Sequence, residues 1–538
     1  MRKWPVFWLV VAATFACFAP ALRNGLLDWD DAGYVLENVH IRSLSLETVR
    51  WAFTEFCCNY WAPLTWLSLA ADFALWGIDP VGYHLTNVVL HALNAGLLYL
   101  ICLRLLRPPA AAGEGTPEDP TASACAGLAA LFFGLHPLRV ESVAWVAERK
   151  DVLSALLGLG AVLAYLRFAQ GTRPGPGASR GAFLRSSRWW LVLALYGGSL
   201  LGKATLITLP FALLVLDWYP LRRLARGGDR GVLLEKVPLL LPALGAALIT
   251  ARAMAPTSKT LAEIDGTTRV VTAFTSLLQY LWLTAFPVGI SPVYFHAGNT
   301  GVRADHLAAI VVVVALGAWA VLGARRRPAI LAGGLLFVGM IFPVLGLAQN
   351  SNQEIAARFT YFPSMPLSLL AAAGIVATRD RLSVGGRGRR LLWGAVGAML
   401  VALAALTVRD IGAWRDDGTL WSRVIELRPH RFGKPYAQRA IFLEGAGRIE
   451  EALADVDEAL AIASRKRYGA IHEIYAHRAR LRRRVGDAEG ALGDFGAAIE
   501  VAPEPYRSMY LEERAAVLSV LDETGRAGAG PGPRGAAR

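Results

Sequence analysis

Apolar stretches recur along the first three quarters of the chain, near residues 5–22, 84–106, 121–138, 151–168, 189–218, 237–255, 269–288, 305–323, 328–347, 361–377 and 391–408. Each approaches or exceeds the ~20 residues that cross a bilayer as a helix. Backbone groups in lipid must bond within their own segment, so the pattern predicts helices. The expectation is an all-α, polytopic transmembrane bundle of roughly 11 spans, with 189–218 holding one long span or two short ones. Residues 1–22 read as a retained first span, because the run is long for a signal peptide.

The connections differ in kind. The segment 23–83 is too long for a simple connector. Within it Ser45 to Phe53 has the pattern of a short amphipathic helix, and Trp61, Trp66 and Trp76 mark a second apolar stretch. Trp favours the headgroup region, so this loop is expected to lie along a membrane surface. Residues 108–120 and 171–180 are rich in Pro and Gly and read as flexible linkers.

From about residue 410 the pattern becomes charged and small residues at helical spacing. Ala452, Val456 and Ala459 correspond to Ala491, Phe495 and Ala498 at a constant offset. Gly486, Ala491, Phe495, Ala498 and Pro503 fit the tetratricopeptide pattern, whose period is ~34 residues. The first copy lacks the Phe and the closing Pro, and the longer offset implies an insertion near Ser464–Tyr468. A third partial copy begins at Pro505-Tyr506. The expected organisation is a membrane domain over 1–409, a repeat domain over 410–523 and a disordered tail over 524–538.

Composition adds topology. The chain has 538 residues, is 54% hydrophobic and carries a net charge of +13; its mean hydropathy is +0.40. Basic residues cluster at Arg2-Lys3, Arg104 and Arg107, Arg173 to Arg188, Arg222 to Arg230, Arg325 to Arg327 and Arg379 to Arg390, whereas 23–83 is acidic. The positive-inside rule puts the basic loops in the cytoplasm and 23–83 outside. The charge is thus a topology signal, and nucleic-acid binding is not expected. If 237–255 and 269–288 both cross, Arg325 to Arg327 falls outside, so one of these segments, or part of 189–218, is not a full span. The five cysteines are scattered. Cys57-Cys58 is a vicinal pair with neither zinc spacing nor a disulfide framework, and is read as incidental.

Polar clusters in so apolar a chain are the candidates for chemistry. Asp28-Trp29-Asp30-Asp31 follows the first span. Its adjacent carboxylates suit a general base, or a divalent ion such as Mg or Mn gripping a phosphate. His84, Asn87, His91 and Asn94 share one face of the second span. His136-Pro137 stops the third span, and Glu141, Glu148, Arg149, Lys150 and Asp151 follow. Arg149 and Lys150 suit a phosphate, and Glu141 an acid, base or sugar partner. Lys203 interrupts 189–218. Asn350 to Glu354 and Arg358 to Pro363 form another polar loop, where Arg358 is placed to clamp a lipid-linked phosphate. No P-loop or dinucleotide fingerprint sits where it would work. Without a soluble α/β domain for a nucleotide-sugar, any sugar donor must arrive on a lipid carrier.

These runs resemble a known family. Asp28-Trp29-Asp30-Asp31 with Tyr34 and Asn38, the run from His136-Pro137 through Glu141-Ser142-Val143-Ala144-Trp145 to Arg149-Lys150-Asp151-Val152-Leu153-Ser154, and Arg358, Thr360, Tyr361 and Pro363 are similar to the transmembrane-and-tetratricopeptide-repeat proteins. These are relatives of protein O-mannosyltransferases, in the membrane glycosyltransferase class with the GT-C fold. The resemblance covers nearly the whole chain. It implies a GT-C-like bundle, a polyprenyl-phosphate sugar donor with mannose the usual sugar, and transfer on the extracytoplasmic side. It places Asp30 and Asp31 near the reaction centre.

Together these readings name Asp30, Asp31 and Glu141 as candidate catalytic groups. His84, His91, His136, Arg149, Lys150, Asp151, Lys203, Arg358 and Tyr361 are candidate substrate contacts. The expected activity is sugar transfer to a hydroxyl, Ser or Thr of an exported polypeptide docked on the repeats. The expected location is a bacterial inner membrane, with the N-terminus cytoplasmic and the repeats outside. The alternatives are a membrane-anchored repeat scaffold without activity and a transporter of lipid-linked sugars.

Overall fold

The computed structural model describes residues 3–106, 119–171, 181–224, 230–257, 263–295, 301–347, 353–384, 386–466 and 471–528. The linkers expected near 108–120 and 171–180 fall largely outside them, as do Asn350, Ser351 and Asn352. The chain divides into two compact units, Met1–Arg415 and Asp416–Arg538.

The first unit begins with α1 (Lys3–Phe18). Two short helices follow in the acidic loop, α2 (Leu46–Thr54) and α3 (Pro63–Trp76). Ser45 caps α2 by accepting from the Thr48 N–H, and Pro63 opens α3. Then come α4 (Pro80–Leu106), α5 (Pro120–Gly134), the short α6 (Val140–Ala144) and α7 (Arg149–Gly171). Pro137 bars its predecessor His136 from helical backbone, and the chain turns by 57° between α5 and the segment Pro137–Ala144. The long apolar stretch at 189–218 is two helices, α8 (Ser187–Gly202) and α9 (Leu209–Trp218), broken where Lys203 is extended. Next are α10 (Arg230–Leu234), α11 (Val237–Met254), α12 (Gly266–Ala285), α13 (Ala304–Leu322), α14 (Pro328–Ile341), α15 (Ser364–Arg381) and α16 (Arg387–Ile411). The only sheet among the described residues is the antiparallel pair β1 (Tyr294–Phe295) and β2 (Gln353–Ile355), with Tyr294 opposite Ile355.

All the predicted apolar segments contain helix, but fewer pass as full spans. Among the described residues six helices are long and apolar enough to cross a membrane, or seven if the bent pair is one span. The difference from roughly 11 has local causes: α8 and α9 are short, α14 is short, and α12 and α15 carry polar or charged residues. Leu316, Val311 and Leu322 of α13 are exposed, which suits a helix bathed in lipid.

Side-chain bonds sort the helix ends into two groups. At one end, called here the loop end, His84 Nε2 meets the Gly25 carbonyl at 3.2 Å, Asn24 donates to the Ile411 carbonyl at 3.3 Å and Thr407 to that of Leu135 at 2.8 Å. Lys203 reaches Glu148 and Asp151 at the start of α7. At the far end, Arg104 bonds Gln170 at 2.9 Å, Arg379 bonds Thr121 at 3.3 Å and Tyr165 bonds Asp217 at 2.5 Å. The segments 187–202 and 204–218 therefore each run the length of α7, in opposite directions. Gly202 lets α8 approach the Ser154 backbone, where an added Cβ would lie 3.4 Å away. In contrast, α12 shares a buried cluster, through Ala273, Leu277, Tyr280 and Leu283, with loop-end residues Leu138, Ile290, Tyr294 and Ile355 and with Phe337 and Ile341 of α14. This part of α12 lies at that rim.

The second unit is a stack of helix pairs: α17 (Asp417–Leu427), α18 (Gly433–Gly445), α19 (Ile449–Lys466), α20 (Ile471–Arg484), α21 (Ala488–Val501) and α22 (Tyr506–Gly528). Ala452, Val456 and Ala459 are buried in one pair, and Ala491, Phe495 and Ala498 in the next. Arg439 grips Asp455 through two 2.7 Å bonds, and Arg478 grips Asp494 at 2.9 and 2.6 Å. Both residues of the clamp recur at the offset of the alanines. The insertion expected near Ser464–Tyr468 falls partly outside the described residues. The last helix runs to Gly528, beyond the expected start of the tail at 524.

Candidate active site

Four distant segments bring charge together at the loop end. The N-terminal turn of α7 is the centre, because it places Glu148, Arg149, Lys150 and Asp151 within one helical turn. All four are buried. Glu148 accepts a hydrogen bond from Lys203 at 2.9 Å and forms ion pairs with Lys150 at 3.2 Å and Arg358 at 3.3 Å. Lys203 also holds Asp151 at 2.8 Å, and Ser142 donates to the other Asp151 oxygen at 3.0 Å. Arg358 forms a close ion pair with Glu141, whose second oxygen accepts the Arg358 backbone N–H at 2.9 Å. Burial works against the charge on Arg358, but Glu141 and Glu148 outweigh it and hold the guanidinium above its ordinary value.

The acidic loop supplies the fourth segment, and its two aspartates differ. Asp31 is buried and accepts the Leu27 N–H at 3.1 Å and the Ala147 N–H at 2.7 Å. Burial pushes its carboxyl up to about 7 despite those bonds. Asp31 therefore pins the loop to the turn before α7. Asp30 is partly exposed, and its charge is felt by Lys150, Tyr34 and Cys58. Aromatic rings frame the cluster. Lys150 donates to Tyr34 at 2.9 Å and lies 4.3 Å from the Tyr60 ring centre. Trp29 stacks on Trp145 at 4.6 Å, and Arg358 lies 5.7 Å from the Trp145 ring.

The expected site residues divide accordingly. Glu141, Lys150, Asp151, Lys203 and Arg358 form one cluster joined through Glu148, with Asp30 and Asp31 beside it. Arg149 faces elsewhere, and its expected phosphate contact is replaced by protein partners. It donates to Asp72 at 2.6 Å, to Ser68 at 2.8 Å, to the Tyr83 carbonyl at 2.8 Å, and closely to Asn87. A guanidinium so fully engaged has no fork left for an anion. The polar face of α4 is likewise a set of helix ties. Asn87 donates to the Val143 and Trp145 carbonyls, both at 3.2 Å. His91 joins the Tyr361 hydroxyl at 2.7 Å and the Gly134 carbonyl at 3.2 Å, and Asn94 joins Tyr361 at 3.1 Å. His84, His91 and Tyr361 thus hold helices together, as polar groups between membrane helices do. His136 is a turn cap: it accepts the Leu138 N–H at 3.2 Å and bonds the Thr284 carbonyl at 3.1 Å. These residues were expected as substrate contacts because polarity in an apolar chain looks the same whether it faces a ligand or a neighbouring carbonyl.

Sequence reasoning missed Asp72, Tyr60 and the central role of Glu148. Glu148 was legible beside Lys150; Asp72 and Tyr60 had no signal short of the fold. Among the described residues no group of three or more His, Cys, Asp and Glu side chains is arranged to hold a metal ion. Asp31 gives one oxygen to each of two amides, and Asp30 lies partly exposed beside it.

The fold and cluster define a multi-pass, all-helical membrane protein with a buried ionic site at one end and a helix-pair domain after it. No family model matches the chain. It is 24% identical over 502 residues to the human protein named protein O-mannosyl-transferase TMTC1, covering 83% of this chain and 54% of that protein. It is 25% identical over 479 residues to protein O-mannosyl-transferase tmtc2 of Xenopus laevis, covering 72% of this chain and 53% of that protein. The chain thus spans about half the length of these relatives. Its structure is similar to the crystal structure of ArnT from Cupriavidus metallidurans bound to undecaprenyl phosphate, with a TM-score of 0.37 and 16% identity over 93% of this chain and 80% of that one. The resemblance to the transmembrane-and-tetratricopeptide-repeat proteins is borne out by these relatives.

Proposed function

We propose that the protein is a membrane glycosyltransferase that moves a sugar from a polyprenyl-phosphate carrier to a hydroxyl acceptor. One observation carries this reading: Lys203 and Arg358, with side chains 12% and 10% exposed, converge with Glu141, Glu148 and Asp151 at the end of the bundle where a carrier's headgroup would lie. Lys150 is wholly buried and positions the others. In this reading the donor phosphate takes the outward donors of Lys203 and Arg358, which stabilise the charge on the leaving oxygen. Asp30 accepts the acceptor's proton. The acceptor oxygen bonds the anomeric carbon as the carbon–phosphate oxygen bond breaks, and the configuration inverts. The names of the relatives support mannose as the sugar and a Ser or Thr of a polypeptide as the acceptor. The helix-pair domain is assigned to that polypeptide. The reading places the protein in a bacterial inner membrane, and basic loops at the far end support an orientation with that end cytoplasmic and the site outside.

The test is transfer from polyprenyl-phosphate mannose to a Ser/Thr-rich peptide by the purified full chain in lipid. Wild type should transfer, and Asp30→Asn should lose at least ~100-fold, the usual scale of a general base. Undiminished transfer by a stably folded Asp30→Asn variant would remove the base. A scaffold is the second reading, favoured by the fact that every cation of the cluster already has a carboxylate partner; no transfer with any carrier would leave it standing. A transporter is disfavoured because its charges should gather at mid-membrane, not at one end.

A further inference from the structure

Cys57 and Cys58 have no part in that mechanism, yet they lie against it. Their sulfurs are 3.5 Å apart. Cys58 is exposed and Cys57 half-buried. They open a tight turn in which Cys57 and Tyr60 exchange backbone bonds at 3.0 and 2.9 Å. The two central residues, Cys58 and Asn59, have φ of 52° and 63°. That backbone suits Asn or Gly. A cysteine held there is an outlier of the kind that points to function.

The turn is coupled to the ionic cluster from both sides. Tyr60, its last residue, lies over the Lys150 ammonium. Gly33, two residues past Asp31, directs its carbonyl at the Cys57 sulfur at 4.0 Å, and a Cβ at Gly33 would lie 2.9 Å from the Cys58 sulfur. The dithiol is thus wedged between the acidic loop and the ring that covers Lys150.

We propose that Cys57-Cys58 is a reversible dithiol site that reacts with a soluble disulfide and, on closing, displaces Tyr60 and the acidic loop. The Cys58 thiolate attacks one sulfur of the disulfide, forming a mixed disulfide and releasing one thiolate. Cys57 then attacks the Cys58 sulfur, closes the vicinal bond and releases the second thiolate. The two cysteines are oxidised, the external disulfide is reduced, and the two cysteine protons end on the two released thiolates as thiols. Cys57 hydrogen-bonds the attacking sulfur and holds the Cys58 thiol below its ordinary value, the property such an attack needs. Adjacent Cα atoms are only ~3.8 Å apart, short of the ~4.4–6.8 Å that a disulfide prefers. The closed ring is therefore strained and easily reduced, as switching disulfides are. Closure must draw the sulfurs from 3.5 Å to about 2.05 Å, and the residues in the way are Gly33 of the acidic loop and Tyr60 of the turn.

The link to sugar transfer rests on the function proposed above, so the test has separate arms. The full chain in detergent is treated with oxidised glutathione and its thiols are mapped by alkylation and mass spectrometry. Wild type should lose both labels at Cys57-Cys58 without retaining glutathione, while Cys57→Ser should stop with glutathione on Cys58. Glutathione on both cysteines of the wild type, or on neither with both labels kept, would overturn the site. Hydrogen exchange should quicken at 30–36 and 58–62 in the oxidised protein; unchanged exchange there would overturn the coupling. Transfer, where it is found, should fall on oxidation in wild type and not in Cys57→Ser with Cys58→Ser. If no transfer is seen in any form, the proposed function fails while the mapping and exchange still judge the dithiol.

Discussion

At the residue scale the two neighbouring aspartates do different work, and one experiment separates them. Asp31 gives each oxygen to a backbone N–H, which an Asn can match only once. Asp31→Asn should therefore cost about 1–3 kcal/mol of stability, whereas Asp30→Asn, at a partly exposed position, should cost less. The pH dependence has a definite sign. Burial raises the Asp31 carboxyl from 3.8 to about 7, so the folded chain binds more protons than the unfolded one between those values. Stability from this group then falls as pH rises through that window. The amides of Leu27 and Ala147 and the charges of Asp30 and Lys150 set its value. Thermal unfolding in detergent at pH 5 and pH 8 measures it: the drop should be smaller in Asp31→Asn, and equal drops would show that Asp31 does not titrate there. Arg149 offers a parallel case. Arg149→Gln leaves Asp72 buried without its cation, and should destabilise by about 3–5 kcal/mol without a specific change in carrier affinity. The sequence made all these charges conspicuous, since any charge is conspicuous in an apolar chain. It did not reveal which ones face backbone and which face a substrate, because that depends on partners far along the chain, such as His91 and Tyr361, 270 residues apart.

At the element scale, α7 is the strut that carries the site at one end and a second ionic knot at the other. Tyr165 near its far end donates to Asp217 at 2.5 Å and accepts from Arg223 at 2.8 Å and Lys236 at 2.6 Å. Arg223 also grips Glu235 through two 2.8 Å bonds, and Lys236 reaches Asp217 at 2.7 Å. Two cations and two carboxylates cancel, and they tie α7, α9 and the start of α11 together. Asp217→Ala leaves Glu235 as the one carboxylate facing both Arg223 and Lys236, and should cost about 3–5 kcal/mol. A double change, Asp217→Leu with Lys236→Met, should recover most of that loss, because it removes both charges. Unfolding of the two variants in detergent decides it; equal loss in both would mean that packing, not charge, holds the joint. This knot was only half legible. Arg222 to Arg230 stood out as a basic loop and was read as topology, while Asp217 and Glu235 are isolated acids that gain meaning from the turn between α9 and α11. The break at Lys203 was legible as polarity inside an apolar run. That it joins two full traverses was not, since length alone allows one long helix or two short ones.

At the scale of the whole molecule, those two traverses settle an arithmetic problem of crossings. If 187–202 and 204–218 both cross and α12 lies along the rim, the count returns to eleven: α1, α4, α5, α7, α8, the 204–218 segment, α11, α13, α14, α15 and α16. The basic clusters at Arg104, Arg188, Arg222, Arg326 and Arg379 then fall on one side, as the positive-inside rule requires. If α12 crossed instead, Arg325 to Arg327 would sit on the opposite side from the other basic loops. Of the helices that do not pass as spans by themselves, α8, α9 and α14 fall short in length and α15 carries charges at its far end; in this arrangement they cross with Ser199, Asp217 and Ser364 buried within the bundle. Single cysteines at Thr257, Val302 and Arg326, in a chain with Cys57 and Cys58 changed to Ser, test it with a membrane-impermeant maleimide on oriented membranes. Thr257 and Val302 should label from the same, non-cytoplasmic side and Arg326 from the other. Labelling of Thr257 and Val302 from opposite sides would make α12 a span. It would also take the rim cluster of Leu138, Tyr280 and Ile355 away from the site it supports, and with it the argument that the ionic cluster faces the lipid carrier's side of the membrane.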